Sequence, residues 1–528
     1  MGRPFHAGHT PDVDLCIDFC GVRAPNPFWL ASGPPTNSEY QVRRAFEAGW
    51  GGAVWKTISN EPIVNVSARY GGVDYDGRKL MGLNNIELIT DRPLEVNLRE
   101  IRNVKRAFPD RALFVSLMVE SKRETWHEIV KRTEDAGADG IELNFGCPHG
   151  MSERGQGSAV GQVPDYTCMI VEWVKQVART PVMVKLTPNI TDIRAIGRAA
   201  RRGGADALSL INTLNSIMGV DLDTLYPKPH VAGRGSHGGY CGPAVRPIAL
   251  HMVSQIATDP QIGLPISGIG GIQAWPDAVE HMLLGATSVQ VCTAVMHYGF
   301  RIIDHLIDGM KNWMRGKGFA RPGDFMGKSA ARIVDWGELD LNYKIVAEID
   351  QTKCINCGLC YIACEDGCHQ SIRIERVAVD EYLRRVGDAH AMGAGREAVA
   401  AHHRSAKVSA EGWHGRRIGS HGRPSADGAA RVVADRAVGN GTRHSVEDRT
   451  FVSGTKQYVH GAGDGYVNVY TIKQDACVGC NMCALVCPAE GCITMREVPT
   501  GKPAMSWREY QELLAAGKIE PIQPPQHR

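Results

Sequence analysis

No apolar run in these 528 residues approaches the roughly 18 that suggest a membrane-spanning helix. The N-terminus, Met1-Gly2-Arg3-Pro4-Phe5-His6, lacks the apolar core of a secretory signal, so a cytoplasmic location is expected. Charge excess is missing too. Fifty-nine Lys and Arg stand against 57 Asp and Glu, a net of +2, which gives no electrostatic reason to expect nucleic acid or an anionic membrane surface. Nowhere does a strand–Gly-x-Gly-x-x-Gly–helix unit appear, which argues against NAD(P)H binding in the usual way. Gly393-Ala394-Gly395 follows no strand and is no nucleotide fingerprint. What remains is an ordinary globular composition, 43% hydrophobic and 22% charged, in a chain long enough for two or more domains.

Cysteine, by contrast, is plentiful and unevenly placed. Six of the 16 are scattered over the first 350 residues, and ten form two tight groups, Cys354 to Cys368 and Cys477 to Cys492. Clustered cysteines in a large chain without a signal suggest metal ligands rather than disulfides. Cys354-x2-Cys357-x2-Cys360-x3-Cys364 has the spacing of ferredoxins, and Cys477-x2-Cys480-x2-Cys483-x3-Cys487-Pro488 repeats it. That spacing sends the fourth thiolate of each run to the other cluster. One 4Fe–4S cluster therefore takes Cys354, Cys357, Cys360 and Cys487, and the other takes Cys477, Cys480, Cys483 and Cys364. Paired zinc sites are the competing reading, but zinc needs no crossed run of four. Cys368 and Cys492 are surplus and read as buried cysteines. Glu365 stands in the first run where the second has proline.

From residue 28 to about 312, short apolar, β-branched runs alternate with helical patterns. The candidate strands are Phe28–Ser32, Ala53–Thr57, Leu113–Met118, Gly140–Asn144, Val182–Thr187, Ala207–Asn212, Pro265–Ile269 and Ser288–Thr293. Segments such as Thr125–Ala136, Pro164–Ala178 and Ile190–Arg202 carry apolar residues at three- and four-residue spacing. Eight strand–helix units predict an α/β fold, a closed (β/α)8 TIM barrel, with an open doubly wound sheet as the alternative.

The strand ends carry polar residues, which are costly at such positions unless used. They read Ala31-Ser32, Lys56-Thr57, Asn144, Lys185, Asn212-Thr213, Gly268-Ile269-Gly270-Gly271 and Cys292-Thr293. In a barrel these ends share one rim, where the chemistry sits. The set suits a flavin: amide and hydroxyl partners for the ring, a lysine (Lys185 or Lys56) beside its N1/C2 carbonyl edge, and glycine N–H groups for a phosphate. At the end of the fourth strand lies Asn144-Phe145-Gly146-Cys147-Pro148-His149-Gly150-Met151, an amide and a thiol entering a glycine-rich loop. Cys147 is the candidate acid. Gly150, Gly155, Gly157 and Gly161 read as the hinges of a lid or as a rigid connection.

Residues 13 to about 315 resemble the flavin barrel of the dihydropyrimidine dehydrogenase family, itself related to dihydroorotate dehydrogenase. The match rests on Asn26-Pro27-Phe28, Leu30-Ala31-Ser32, the stretch Arg43 to Gly51, Leu83-Asn84-Asn85-Ile86-Glu87-Leu88-Ile89, Cys147 to Met151, Lys185 to Asn189, Asn212-Thr213 and Gly270-Gly271-Ile272. The resemblance implies that Ser32, Lys56, Thr57, Lys185, Gly242, Gly270, Gly271, Cys292 and Thr293 hold FMN. It implies that Asn85, Asn144, Phe145, Gly146, Asn212 and Thr213 bind the pyrimidine, with the backbone of Gly146 in place of a serine found in mammalian members. It implies a CH–CH oxidoreductase of pyrimidine catabolism, with hydride passing from flavin N5 to C6 of uracil or thymine and a proton from Cys147 to C5. A thiol with a reference pKa near 8.5 suits that role.

The expected organisation follows. Residues 1–315 form the FMN- and pyrimidine-binding barrel and 316–347 a connector, with short helices expected at Gly323–Ile333 and Leu339–Val346. Residues 348–380 and 465–510 form a small α+β ferredoxin-like domain with two 4Fe–4S clusters, and 511–528 a tail. Residues 384–464, rich in Gly, Ala, Arg and His, read as a disordered insertion, with a partner-docking arm or a metal-binding tract as alternatives. Gly465 to Tyr470 reads as a strand re-entering the small domain. Two clusters and a flavin without a nicotinamide site imply electrons from elsewhere. In the resembled family the source is a second subunit or domain carrying FAD and NAD(P)H; here a separately encoded partner with its own electron-transfer centres is expected, with this chain in a homodimer or heterotetramer. Dihydroorotate oxidation and pure electron transfer are the competing functions.

Overall fold

The computed structural model describes residues 12–61, 63–75, 78–386 and 466–521. These fall into two compact units divided at Ile333/Val334. Most of the expected insertion, from 387 to 465, lies outside the described residues, as does the end of the tail. Among the described residues no helix is long and apolar enough to cross a membrane.

The first unit contains strands β1 (Ile17–Phe19), β2 (Val22–Ala24), β3 (Phe28–Leu30), β4 (Gly52–Ile58), β5 (Tyr70–Tyr75), β6 (Arg78–Asn85), β7 (Ala112–Leu117), β8 (Gly140–Asn144), β9 (Val182–Lys185), β10 (Ala207–Leu210), β11 (Leu214–Ser216), β12 (Gly238–Cys241), β13 (Ile266–Ile269) and β14 (Ala286–Val291). Eight of them close a parallel barrel in the order β3-β4-β7-β8-β9-β10-β13-β14. Each matches one of the expected strands. They were legible because a barrel strand is buried on both faces and reads as a continuous apolar run. Outward residues such as Ile141, Leu143, Val182 and Val184 pack under the helices.

Inside, the barrel is layered. At its base the β1–β2 hairpin presents Ile17, Phe19 and Ala24 to Trp29, Val54, Phe114, Met183 and Ala207. Burying each of the large side chains contributes about 1.5–3 kcal/mol. Above them lies a buried polar layer: Ser116, Glu142, Ser209, Ser267, Ser288 and Gln290. The remaining strands form an antiparallel sheet ordered β11-β12-β6-β5. It went unread because segments such as Gly238-Gly239-Tyr240-Cys241 show no alternation.

In the connector the expected helices are corrected. Gly323–Ile333 holds only the 3-10 turns Pro322–Asp324 and Ala330–Arg332, and Leu339–Val346 is not helical, since a strand begins at Ile345. That strand, β15 (Ile345–Ile349), pairs antiparallel with β18 (Ile493–Glu497). β16 (Ile372–Ala378) pairs with β17 (Tyr466–Ile472), Ala378 opposite Tyr466. A helix, Val379–Val386, follows β16, so residues 384–386, placed in the insertion by composition, are helical.

Candidate functional site

The polar strand ends converge on one cavity of about 1160 Å³, open to solvent. Every residue expected to hold FMN lines it: Ser32, Lys56, Thr57, Lys185, Gly242, Gly270, Gly271, Cys292 and Thr293. So do Asn85, Asn144, Cys147, Asn212 and Thr213. Phe145 and Gly146 do not. Phe145 is buried with its ring edge-on to Trp126, 6.2 Å away, because consecutive residues of an extended chain face opposite ways. Gly146 packs against the Asn212 side chain.

A chain of hydrogen bonds fixes the rim. Thr57 N–H donates to Ser32 Oγ at 3.0 Å, and Asn144 Nδ2 donates to Thr57 Oγ1 at 3.0 Å. Asn212 Nδ2 donates to Asn144 Oδ1 at 2.9 Å, and Thr213 N–H to Asn212 Oδ1 at 2.8 Å. Each amide is thereby held in one orientation, with donors left over. Asn85 joins from β6, where its Oδ1 accepts the Glu87 N–H and its amide nitrogen has no partner among the described residues.

Glu87 is the residue the sequence reading passed over. Its carboxylate pairs with Lys56 and with Arg69, each at 2.8 Å, and accepts from the Tyr70 hydroxyl. A carboxylate inside the apolar run Ile86-Glu87-Leu88-Ile89 was the available signal. Lys185 is treated differently. Its nearest carboxylate oxygen is Glu142 Oε1 at 3.9 Å, beyond hydrogen-bond length. Gln290, also on the cavity wall, has a buried Oε1 without a partner among the described residues.

The glycine end of the cavity is backed by His281. Its Nε2–H donates to Gly270 O at 3.2 Å, and burial lowers its pKa to about 4, so the ring is neutral. Gly270 and Gly271 have φ of +127° and +76°, a conformation that favours glycine. A Cβ on Gly271 would lie 2.8 Å from the nitrogen of Arg246, the first residue of the helix Arg246–Thr258. A helix start beside glycine N–H groups suits an anion.

Cys147 sits across the cavity, buried, its thiol 3.5 Å from His149 O. Burial pushes it up to about 11, with Lys185 opposing part of that rise. The reference value near 8.5 therefore gives way to a thiol firmly protonated at neutral pH. In the loop that follows, a Cβ on Gly157 would lie 2.8 Å from Cys147 O, so this glycine answers to packing.

In the second unit the cysteines assemble in the expected crossed quartets. Cys354, Cys357, Cys360 and Cys487 line one small pocket, and Cys364, Cys477, Cys480 and Cys483 line another. Among the described residues no three His, Cys, Asp or Glu side chains converge tightly enough for a single metal ion. The two loops are built alike. Asn356 and Gly358 have positive φ, as do Gly479 and Asn481 at the matching positions, with Asn and Gly exchanged. Cys492 is buried at the first quartet, but Cys368, expected to be buried, is partly exposed.

The family model for dihydroorotate dehydrogenase matches residues 14–314. NAD-dependent dihydropyrimidine dehydrogenase subunit PreA of Escherichia coli (strain K12) is 41% identical over 360 residues, 68% of this chain and 87% of that one. The chloroplastic NADP(+) dihydropyrimidine dehydrogenase of Arabidopsis thaliana is 41% identical over 340 residues, 62% of this chain and 80% of that one. The catalytic subunit of dihydroorotate dehydrogenase B (NAD(+)) from Pyrococcus abyssi is 35% identical over 59% of this chain and 98% of its own. A solved dihydroorotate dehydrogenase from Eimeria tenella shares the fold, with a TM-score of 0.50 at 19% identity over 61% of this chain and 90% of its own.

Proposed function

This chain belongs to the dihydroorotate dehydrogenase family, and we propose that within it the chain is a dihydropyrimidine dehydrogenase catalytic subunit that reduces uracil and thymine to their 5,6-dihydro forms. The observation that carries this reading is a buried, protonated Cys147 thiol in the same cavity as the linked amides of Asn144 and Asn212. Among the described residues Lys56 and Lys185 are the only Lys or Arg lining the cavity, and Lys56 is paired with Glu87. That leaves little to hold the carboxylate of an orotate, which uracil lacks.

The residues present fit FMN. Gly242, Gly270 and Gly271 would take its phosphate, with Thr293 beside them. Ser32, Lys56, Thr57, Lys185 and Cys292 would line its ring, and Gln290 Oε1 and Lys185 offer a buried acceptor and donors not used by the protein. When bound, FMN supplies the hydride. The chain's own residues do the rest. Asn85, Asn212 and Thr213 donate to pyrimidine carbonyls, and the bond from Asn212 to Asn144, with that from Asn144 to Thr57, fixes both amides before substrate arrives. Cys147 holds a proton at Sγ and gives it to C5. Burial keeps the thiol protonated until that moment, and Lys185 offsets part of the cost of the thiolate.

The quartet Cys354, Cys357, Cys360 and Cys487 and the quartet Cys477, Cys480, Cys483 and Cys364 would hold two 4Fe–4S clusters that carry electrons one at a time. A separately encoded FAD- and NAD(P)H-binding subunit supplies those electrons, in a cytoplasmic complex. The test is single-turnover reduction of uracil by chemically reduced protein, wild type against Cys147→Ala. We expect a loss of about 10²–10⁴-fold. Retention of most activity would remove Cys147 from the reaction. Full-rate NADH oxidation by the chain alone would remove the partner.

A further inference from the structure

The two cavity lysines are countered unequally. Lys56 shares a hydrogen-bonded ion pair with Glu87 at 2.8 Å. Lys185 faces Glu142, whose side chain is fully buried, at 3.9 Å. Glu142 Oε2 is anchored by the Ser209 hydroxyl at 2.9 Å, while Oε1, the atom facing Lys185, has no hydrogen-bond partner among the described residues. Strand register enforces this. Ser209 is paired with Lys185 across β10–β9, and Glu142 with Met183, two residues before Lys185, across β8–β9.

A buried carboxylate with one unbonded oxygen is costly unless a charge compensates it. Here the ammonium compensates without being captured, so among the described residues its three N–H donors have no partner and face the cavity. We propose that Glu142 is a positioning residue that acts through Lys185, countering its charge without bonding its donors and so setting how strongly the site favours the reduced, negatively charged flavin ring. The inference rests on the FMN reading above.

The sign follows from electrostatics. A neutral amide at position 142 leaves the Lys185 charge uncompensated, favours the anionic ring and raises the FMN midpoint potential. Removing the ammonium lowers it. With Lys185 gone, Glu142 has lost the ammonium it acts through, so replacing it then adds no shift by this route.

The experiment is a redox titration of bound FMN in the full chain, with FMN content measured on the same samples. Glu142→Gln is expected to shift the potential positive, Lys185→Met to shift it negative, and Glu142→Gln to add no shift in the Lys185→Met background. Should Glu142→Gln not fold, Glu142→Asp, which withdraws the carboxylate by one methylene, should give a smaller positive shift. An unchanged potential in an FMN-loaded Glu142 variant, or equal shifts in both backgrounds, overturns the proposal. A merely structural role would lower thermal stability and leave the potential in place, which also overturns it. A wild-type chain that binds no FMN overturns the functional reading and this inference with it.

Discussion

Lys56 and Glu87 form a buried ion pair at 2.8 Å, with relative exposures of 4% and 6%. Glu87 also receives Arg69 and Tyr70, so removing it strands three donors. Glu87→Ala should cost about 3–5 kcal/mol by denaturant titration, because the charge left behind is desolvated and unpaired. Glu87→Gln, which still accepts hydrogen bonds, should cost less. Wild-type stability in Glu87→Ala would show that Lys56 is held by something else.

Gly146 has no space for a side chain. A Cβ there would lie 2.5 Å from Asn212 Cβ and 2.7 Å from its Nδ2. Gly146→Ala should push Asn212 off Asn144, at an overpacking cost of about 1–3 kcal/mol. The expected result is a KM for uracil raised about tenfold, with FMN affinity retained. Equal losses of FMN and substrate binding would place the damage elsewhere.

The Cys147 thiol titrates at about 11. Only the protonated form donates, so a raised pKa extends the active range upward. Proton transfer in single turnovers should be level through pH 9 and decline as pH approaches about 11. Alkylation of Cys147 at pH 8 should be slow for the same reason. An inflection near 8.5 in either measurement would contradict this environment.

His281 works in the opposite sense. Its pKa in the fold is about 4, against about 6.5 for an exposed histidine, with burial as the main cause and Arg246 adding to it. The unfolded chain therefore takes up a proton that the fold refuses. The stability this histidine contributes is complete above about pH 6.5 and lost progressively as pH falls toward 4, on the order of 3 kcal/mol in all. His281→Gln, which keeps a donor for Gly270 O, should flatten the stability profile over that interval. An unaltered slope would assign it to other groups.

The crossed quartets predict selective damage. Cys487→Ser should remove about half of the iron and abolish one cluster signal, leaving the one served by Cys364. Cys364→Ser should do the reverse. If Cys487→Ser instead disturbed the Cys477, Cys480 and Cys483 cluster, the crossing would be wrong.

What could be read from sequence depended on how each residue type is used. Barrel strands were visible because both faces are dry, and the strand ends because Lys56, Asn144 and Lys185 interrupt apolar runs. The four-stranded sheet escaped because Tyr70–Tyr75 and Gly238–Cys241 are too glycine-rich to show a period. Phe145 was assigned to the substrate with its neighbours, yet its own parity on the strand turns it toward Trp126. Glu87 escaped because its role exists only once β4 and the segment after β6 are brought together. Cys147 stands at a strand end that lines the cavity, but its proton affinity is a property of burial, which no spacing records.

The crossing of the cysteines also bears on how the protein is made. Each quartet takes three sulfurs from one run and one from the other. One cage lacks a wall until Cys483 has left the ribosome and the other until Cys487 has, long after the barrel is complete. Between the first run and the second, some hundred residues of new chain must be synthesised with four thiols exposed and no partner sulfur to complete a cage. Loading of the proposed clusters is therefore confined to the last stage of synthesis or after it. On the proposed function, a cell short of sulfur-cluster assembly would accumulate barrels able to accept flavin but unable to receive electrons.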